Sequence, residues 1–186
     1  MTRTEAYELL CKHIQEQNLI KHCLATEAGM LGLADVLNEN ENKINWGLAG
    51  LLHDIDYEYT KNNPELHSLK SLEILKPLGI NQEILDAIET HNEIHKKEPI
   101  SKMAKSLFCL DPLTGLIVAS TLVLPSKQIK DLTVENIINR FKEKSFAKGA
   151  NREHILRSEQ YLNISLRDFI SIVLQSMQNI NTDLGL

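Results

Sequence analysis

The chain has 186 residues, 42% of them hydrophobic, enough for one globular domain with a sizeable core and too little for two. Its formal net charge is -5 and its lysines and arginines are scattered among acids, which excludes the clustered cations that a nucleic-acid polymer requires, though not a single nucleotide. Cys11, Cys23 and Cys109 lack the short pair spacings of zinc or redox motifs and read as small apolar side chains in a reducing compartment; with no basic-then-apolar leader and no apolar run near 18 residues, the expectation is a cytoplasmic protein that does not engage membranes.

Glycine and proline are sparse, at 8 and 5, and β-branched alternation is nearly absent, so the pattern predicts helices joined by short loops throughout. The first runs from Thr4 to Gln17, with Ala6, Leu9, Leu10 and Ile14 at helical spacing. The second starts near Leu19 and reaches about Leu37, with His22 in its first turn. After the turn Asn38 to Asn42, a helix of small and aliphatic residues from Trp46 delivers His53 and Asp54 side by side, then breaks into the polar stretch Asp56 to Pro64.

Pro64 suits the first turn of a helix that carries His67 and ends at Gly79. Asn81 caps the next, Glu83 to about Asn92, with His91 at its end. Ser101 caps a short helix, and Asp111-Pro112 opens a long apolar one to Leu124, leaving the carboxylate at its mouth. Beyond Pro125 the composition turns polar, with helices over Thr133 to Lys144, Arg152 to Leu162 and a last one capped by Ser165. The expected organisation is one domain over residues 1–186, with a core of about 20–125 and a C-terminal helical addition over 126–186.

The residues that stand out are His22, His53, Asp54, His67, His91 and Asp111, each beside an apolar stretch. Burying a carboxylate against an imidazole costs several kcal/mol unless hydrogen bonds or a cation satisfy both. Helical bundles build metal sites from facing helices. Imidazoles with carboxylates suit iron, manganese, zinc, cobalt or nickel better than calcium. By contrast, His13 and His154 lack flanking ligand candidates and read as surface residues. Lys144, Lys148 and Arg152 are spaced four apart and read as a solvated basic face.

The order His22, then Ala49-Gly50-Leu51-Leu52-His53-Asp54-Ile55-Asp56, then Asp111 resembles the HD-domain superfamily of metal-dependent phosphohydrolases. The resemblance implies an all-α bundle in which His22, His53, Asp54 and Asp111 bind one metal ion. His67 and His91 stand where some members of that superfamily place ligands of a second ion. There the usual adjacent histidines are His91-Asn92 in this chain, and His95 falls where the helix has ended.

The activity so implied is hydrolysis of a small phosphorylated metabolite or nucleotide by metal-activated water. Asp54 then binds metal and orients the water, while Asp56 or Glu58 takes its proton. A homodimer is compatible with this reading. Two alternatives stay open: a metal-binding regulatory module without turnover, and a di-iron oxygenase of the HD-like type.

Overall fold

The computed structural model describes residues 1–186 as eleven α-helices linked by turns and short 3-10 segments, with no β-strand. In chain order they are α1 (Arg3–His13), α2 (Gln17–Val36), α3 (Lys43–Leu52), α4 (Tyr57–Thr60), α5 (Leu69–Leu75), α6 (Gln82–His91), α7 (Lys102–Leu122), α8 (Val134–Lys142), α9 (Arg152–Leu162), α10 (Leu166–Asn179) and α11 (Asn181–Leu184). Local chemistry sets many of the starts. Thr2 and Glu5 form a reciprocal capping box ahead of α1, and Ser165 Oγ accepts from Asp168 N ahead of α10.

The packing that positions everything else is the close approach of α2, α3 and α7. A Cβ added at Gly50 would lie 2.8 Å from the Thr26 carbonyl and the Glu27 backbone N. The two helices therefore touch backbone to backbone, and any larger residue at position 50 drives them apart. Leu10, Leu33, Leu51, Leu110, Leu113 and Ile117, all fully buried, fill the surrounding core. Trp46 belongs to the same core at 1% exposure, its indole N–H without a partner. Cys23 and Cys109 are buried free thiols, and Cys11 is half-buried.

Three expectations change. Asp111-Pro112 does not begin a helix: Ser101 caps one uninterrupted α7 by accepting from Ala104 N, and Pro112 lies inside it. A proline removes one bond of the ladder, and this one is tolerated in a helix buried along most of its length. His22 accordingly lies in the second turn of α2, which starts at Gln17 rather than near Leu19.

The expected helix from Pro64 to Gly79 is broken as well. Pro64–Leu66 is a single 3-10 turn, His67 is extended, Ser68 takes a positive φ of 69°, and α5 begins only at Leu69. The break has a tertiary cause, because the His67 carbonyl is taken by Asn92 Nδ2 at 3.0 Å and His95 Nε2 at 2.8 Å.

By length and composition α7 is the one helix apolar enough to cross a bilayer, and most of its apolar stretch is buried within the protein. The C-terminal helices close over this core, with α9 packed on α7 and α10 packed on α2. Residues beyond Pro125 thus pack directly onto the helices that precede them.

Candidate metal centre

Six side chains converge where α2, α3, α6 and α7 meet the 53–68 segment. His22 Nε2 lies 2.9 Å from Asp111 Oδ1, 3.2 Å from His53 Nε2 and 3.5 Å from Asp54 Oδ2. His53 Nε2 is 3.4 Å from Asp54 Oδ2 and 3.5 Å from Asp111 Oδ1. The other oxygen of Asp54, Oδ1, faces a second cluster, 3.2 Å from His67 Nε2 and 3.5 Å from His91 Nε2. Those two nitrogens are 3.0 Å apart. The centre is therefore two adjoining nests of donors with one carboxylate between them.

The outer nitrogens decide what the inner ones can do. His53 Nδ1 lies 2.8 Å from the Gly50 carbonyl and His91 Nδ1 2.6 Å from the Ile88 carbonyl. His67 Nδ1 lies 2.8 Å from Asp56 Oδ1. Thr114 Oγ1 donates to the Asp111 carbonyl at 2.8 Å, which leaves its lone pair to accept from His22 Nδ1 at 3.1 Å.

Every Nδ1 thus carries its proton outward, and each neutral ring turns its Nε2 lone pair inward. Lone pairs at 3.2 and 3.0 Å repel each other and the nearby carboxylates unless a cation or an added proton lies between. Two sets of donors, His22 with His53 and Asp54, and Asp54 with His67 and His91, each lie within 4.8 Å of one another. This donor chemistry fits divalent transition metals, whose histidine ligands are fixed in the same way by an acceptor on the far nitrogen.

Charge tells the same story. Burial pushes the His53 imidazolium down, yet Asp54 and Asp111 outweigh it and raise its pKa to about 9. Burial likewise opposes charge on His67, where Asp54 and Asp56 prevail and raise the pKa to about 10. Burial would lift Asp54 and Asp111, but the facing histidines hold both carboxyls well below the usual range. The cluster demands positive charge at its middle, and protons supply it where metal does not.

The centre opens on a cleft of about 640 Å³, to which His22, Asp54, His67, His91 and Asp111 present themselves. Asp56 and Glu58 do not line it. Asp56 is fully buried, and its second oxygen accepts from Ser71 N at 3.0 Å, capping α5 from a distance. Glu58 accepts from Gln15 N and, at 2.8 Å, from Glu16 N just ahead of α2, and these bonds lower its pKa. Asn92 and His95 stay outside the cluster, holding the His67 backbone instead.

Part of the cleft wall comes from the loop between α8 and α9 and the start of α9: Ala147, Gly149, Ala150, Asn151 and His154. Arg152 shares no helical face with Lys144 and Lys148, because α8 ends at Lys142 and α9 begins at Arg152. Its guanidinium donates to the carbonyls of Phe146, Ala147 and Ala150 and so fixes the loop that forms this wall. His154, expected at the surface, faces the cleft with its side chain only 12% exposed. Thr114 is a further residue of the site, and its place three residues after Asp111 is its only mark in the sequence.

A family model for the HD domain matches residues 19–116, the span that holds all six converging side chains. Ribonuclease Y of Lawsonia intracellularis (strain PHE/MN1-00) is 30% identical over 142 residues, which cover 74% of this chain and 26% of that protein. The chain thus matches about a quarter of that relative's length. No solved structure matches the chain. With more than half of its residues under the family model and the His22, His53, Asp54 and Asp111 donors gathered at one point, the chain belongs to the HD domain family.

Proposed function

We propose that this protein is a phosphohydrolase that holds two divalent first-row cations and cleaves the phosphate ester of a small metabolite or nucleotide. His22, His53, Asp54 and Asp111 hold one ion, and His67, His91 and Asp54 the other. The observation that carries this reading is the inward pointing of four Nε2 lone pairs onto carboxylates, with every Nδ1 committed elsewhere. Bound cations of this kind lower the pKa of a coordinated water and withdraw charge from a phosphoryl oxygen. The chain's own residues do the rest: Gly50, Asp56, Ile88 and Thr114 lock the rings, and the cleft aligns the ester over them. Of the three carboxylates considered for a catalytic role, Asp54 is the one that lines the cleft.

The lining favours a small substrate. No lysine or arginine faces the cleft, while Glu16 and Glu93 do, and an RNA strand needs cations for its flanking phosphates. The relative's name, ribonuclease Y, makes RNA the natural comparison substrate.

Elemental analysis of the purified protein, followed by assay against aryl phosphates, sugar phosphates, mononucleotides and a short RNA, tests the reading. About two equivalents of metal with turnover on the small monoesters is the expected result. Metal without turnover on any phosphate would overturn it in favour of a regulatory module. The carboxylate shared by two histidine pairs also favours a second reading, an oxygenase with two irons, and for that reading two irons with oxygen consumption is the diagnostic result.

A further inference from the structure

Hydrolysis of an alkyl phosphate leaves an alkoxide that needs a proton, and a positioned acid contributes about 10²–10⁴-fold to such a step. Apart from the donors of the centre, the titratable side chains on the cleft are Glu16, Tyr57, Glu93 and His154. Glu16 is exposed at the start of α2, and Tyr57 stands edge-on to the His67 ring at 5.7 Å. Glu93 is engaged: its Oε2 lies 2.8 Å from His154 Nε2.

His154 is held by a ring, a carboxylate and a capped helix start. Its ring lies over that of Phe108, with centroids 4.0 Å apart and planes at 30°. Phe108 is itself buried in α7. The helix that carries His154 is fixed at its start, where Asn151 Oδ1 accepts from Glu153 N and His154 N and Arg152 clamps the preceding loop. With Nε2 committed to Glu93, Nδ1 makes no hydrogen bond within the protein. An imidazole oriented by a carboxylate through one nitrogen, with the other unbonded, on a side chain that lines a reaction cleft, is an arrangement in which histidine moves protons near neutral pH.

We propose that His154 is the proton donor to the leaving oxygen, with Glu93 as its positioning residue; this rests on the hydrolase reading above. As the oxygen of water bonds to phosphorus and the bond from phosphorus to the leaving oxygen breaks, the leaving oxygen takes the Nδ1 proton of the His154 imidazolium. One proton of the water stays on the product phosphate. The other passes to solvent, from which His154 is recharged.

The test compares two esters in the metal-loaded protein: an alkyl phosphate, whose leaving group needs the proton, and 2,4-dinitrophenyl phosphate, whose leaving group does not. His154→Gln retains an amide that can donate to Glu93. It should lower kcat for the alkyl ester by about 100-fold or more and change the dinitrophenyl ester by about 3-fold or less. Metal content and Tm, measured alongside, should match the wild type. Glu93→Gln, which leaves the ring in place, should show the same selectivity with a smaller loss. Equal losses on both esters, or no loss on either, overturn the role of His154 alone. A wild-type protein that carries its metal and turns over neither ester overturns the hydrolase reading and this inference with it.

Discussion

The two halves of the centre share Asp54 but are built by different means. His22, His53 and Asp111 sit on or at the end of α2, α3 and α7; α2 meets α3 backbone to backbone at Gly50, and Gly29 of α2 packs against Leu110 of α7. His67 sits on an extended segment between a 3-10 turn and α5, held by Asp56, Asn92 and His95. The first half offers two imidazoles and two carboxylates, the second two imidazoles and one. The difference teaches that in the better-charged half the rings ride on packed helices, with Thr114 steadying His22, whereas His67 has no helix beneath it and depends on polar contacts to Asp56, Asn92 and His95.

The largest effect should come from breaking what the halves have in common. Asp54→Ala removes an oxygen from each, so both ions should be lost and turnover abolished. Elemental analysis should show a loss beyond the about 100-fold in affinity that follows when only a ligand's hydrogen-bond partner is removed. Two equivalents of metal retained in this variant would show that the carboxylate is not shared.

Next come substitutions that separate the halves. Asp56→Asn weakens the acceptor behind His67, and Thr114→Val deletes the one behind His22. Each should cost about 10–100-fold in affinity for its own ion and leave the other nearly unchanged. Stepwise metal titration followed by calorimetry reads the two separately. Equal weakening of both ions by either variant would show that the two halves are not held independently.

A smaller effect appears when metal is stripped out. His53 and His67 have folded pKa values of about 9 and about 10, above the ordinary 6.5. Their ion pairs with Asp54, Asp56 and Asp111 therefore stabilise the metal-free fold fully below about pH 6.5, and that contribution is lost as pH rises through 9 to 10. The metal-free Tm should fall over that window, while the loaded protein, whose cations need deprotonated rings, should lose less. Thermal melts at several pH values, with and without chelator, check it.

The smallest effect is expected at Glu58. Glu58→Gln weakens a cap on the approach to α2, worth about 0.5–2 kcal/mol at most, and should lower Tm slightly with turnover retained. A large drop in kcat at unchanged Tm would restore Glu58 to the catalytic steps.

Much of this was legible in the sequence, for reasons that also explain the rest. The helical pattern and the order His22, His53-Asp54, Asp111 mark both the all-α fold and side chains that the structure gathers. They survive translation into one dimension because each sits at a fixed place beside an apolar run. What misled was proline and distance. Pro112 read as a helix start, since proline favours that position, but the burial of α7 overrides the local preference.

The break at His67 is set by Asn92 and His95, 25 and 28 residues away. The place of His154 is set by Glu93, 61 residues away, and by the Phe108 ring. No spacing rule reaches that far.

One carboxyl group standing between two nests of imidazoles has a thermodynamic corollary. Were an ion held at each oxygen, as proposed, the one on Oδ2 would draw electron density from Oδ1 and the two would repel across the same group, so the first to arrive would weaken the grip on the second. Occupancy of the two positions would then be anticooperative and reciprocal: whatever factor one ion imposed on its neighbour's affinity would be returned in equal measure. At limiting metal the protein should populate a singly loaded form, with the α2, α3 and α7 half filled before the other.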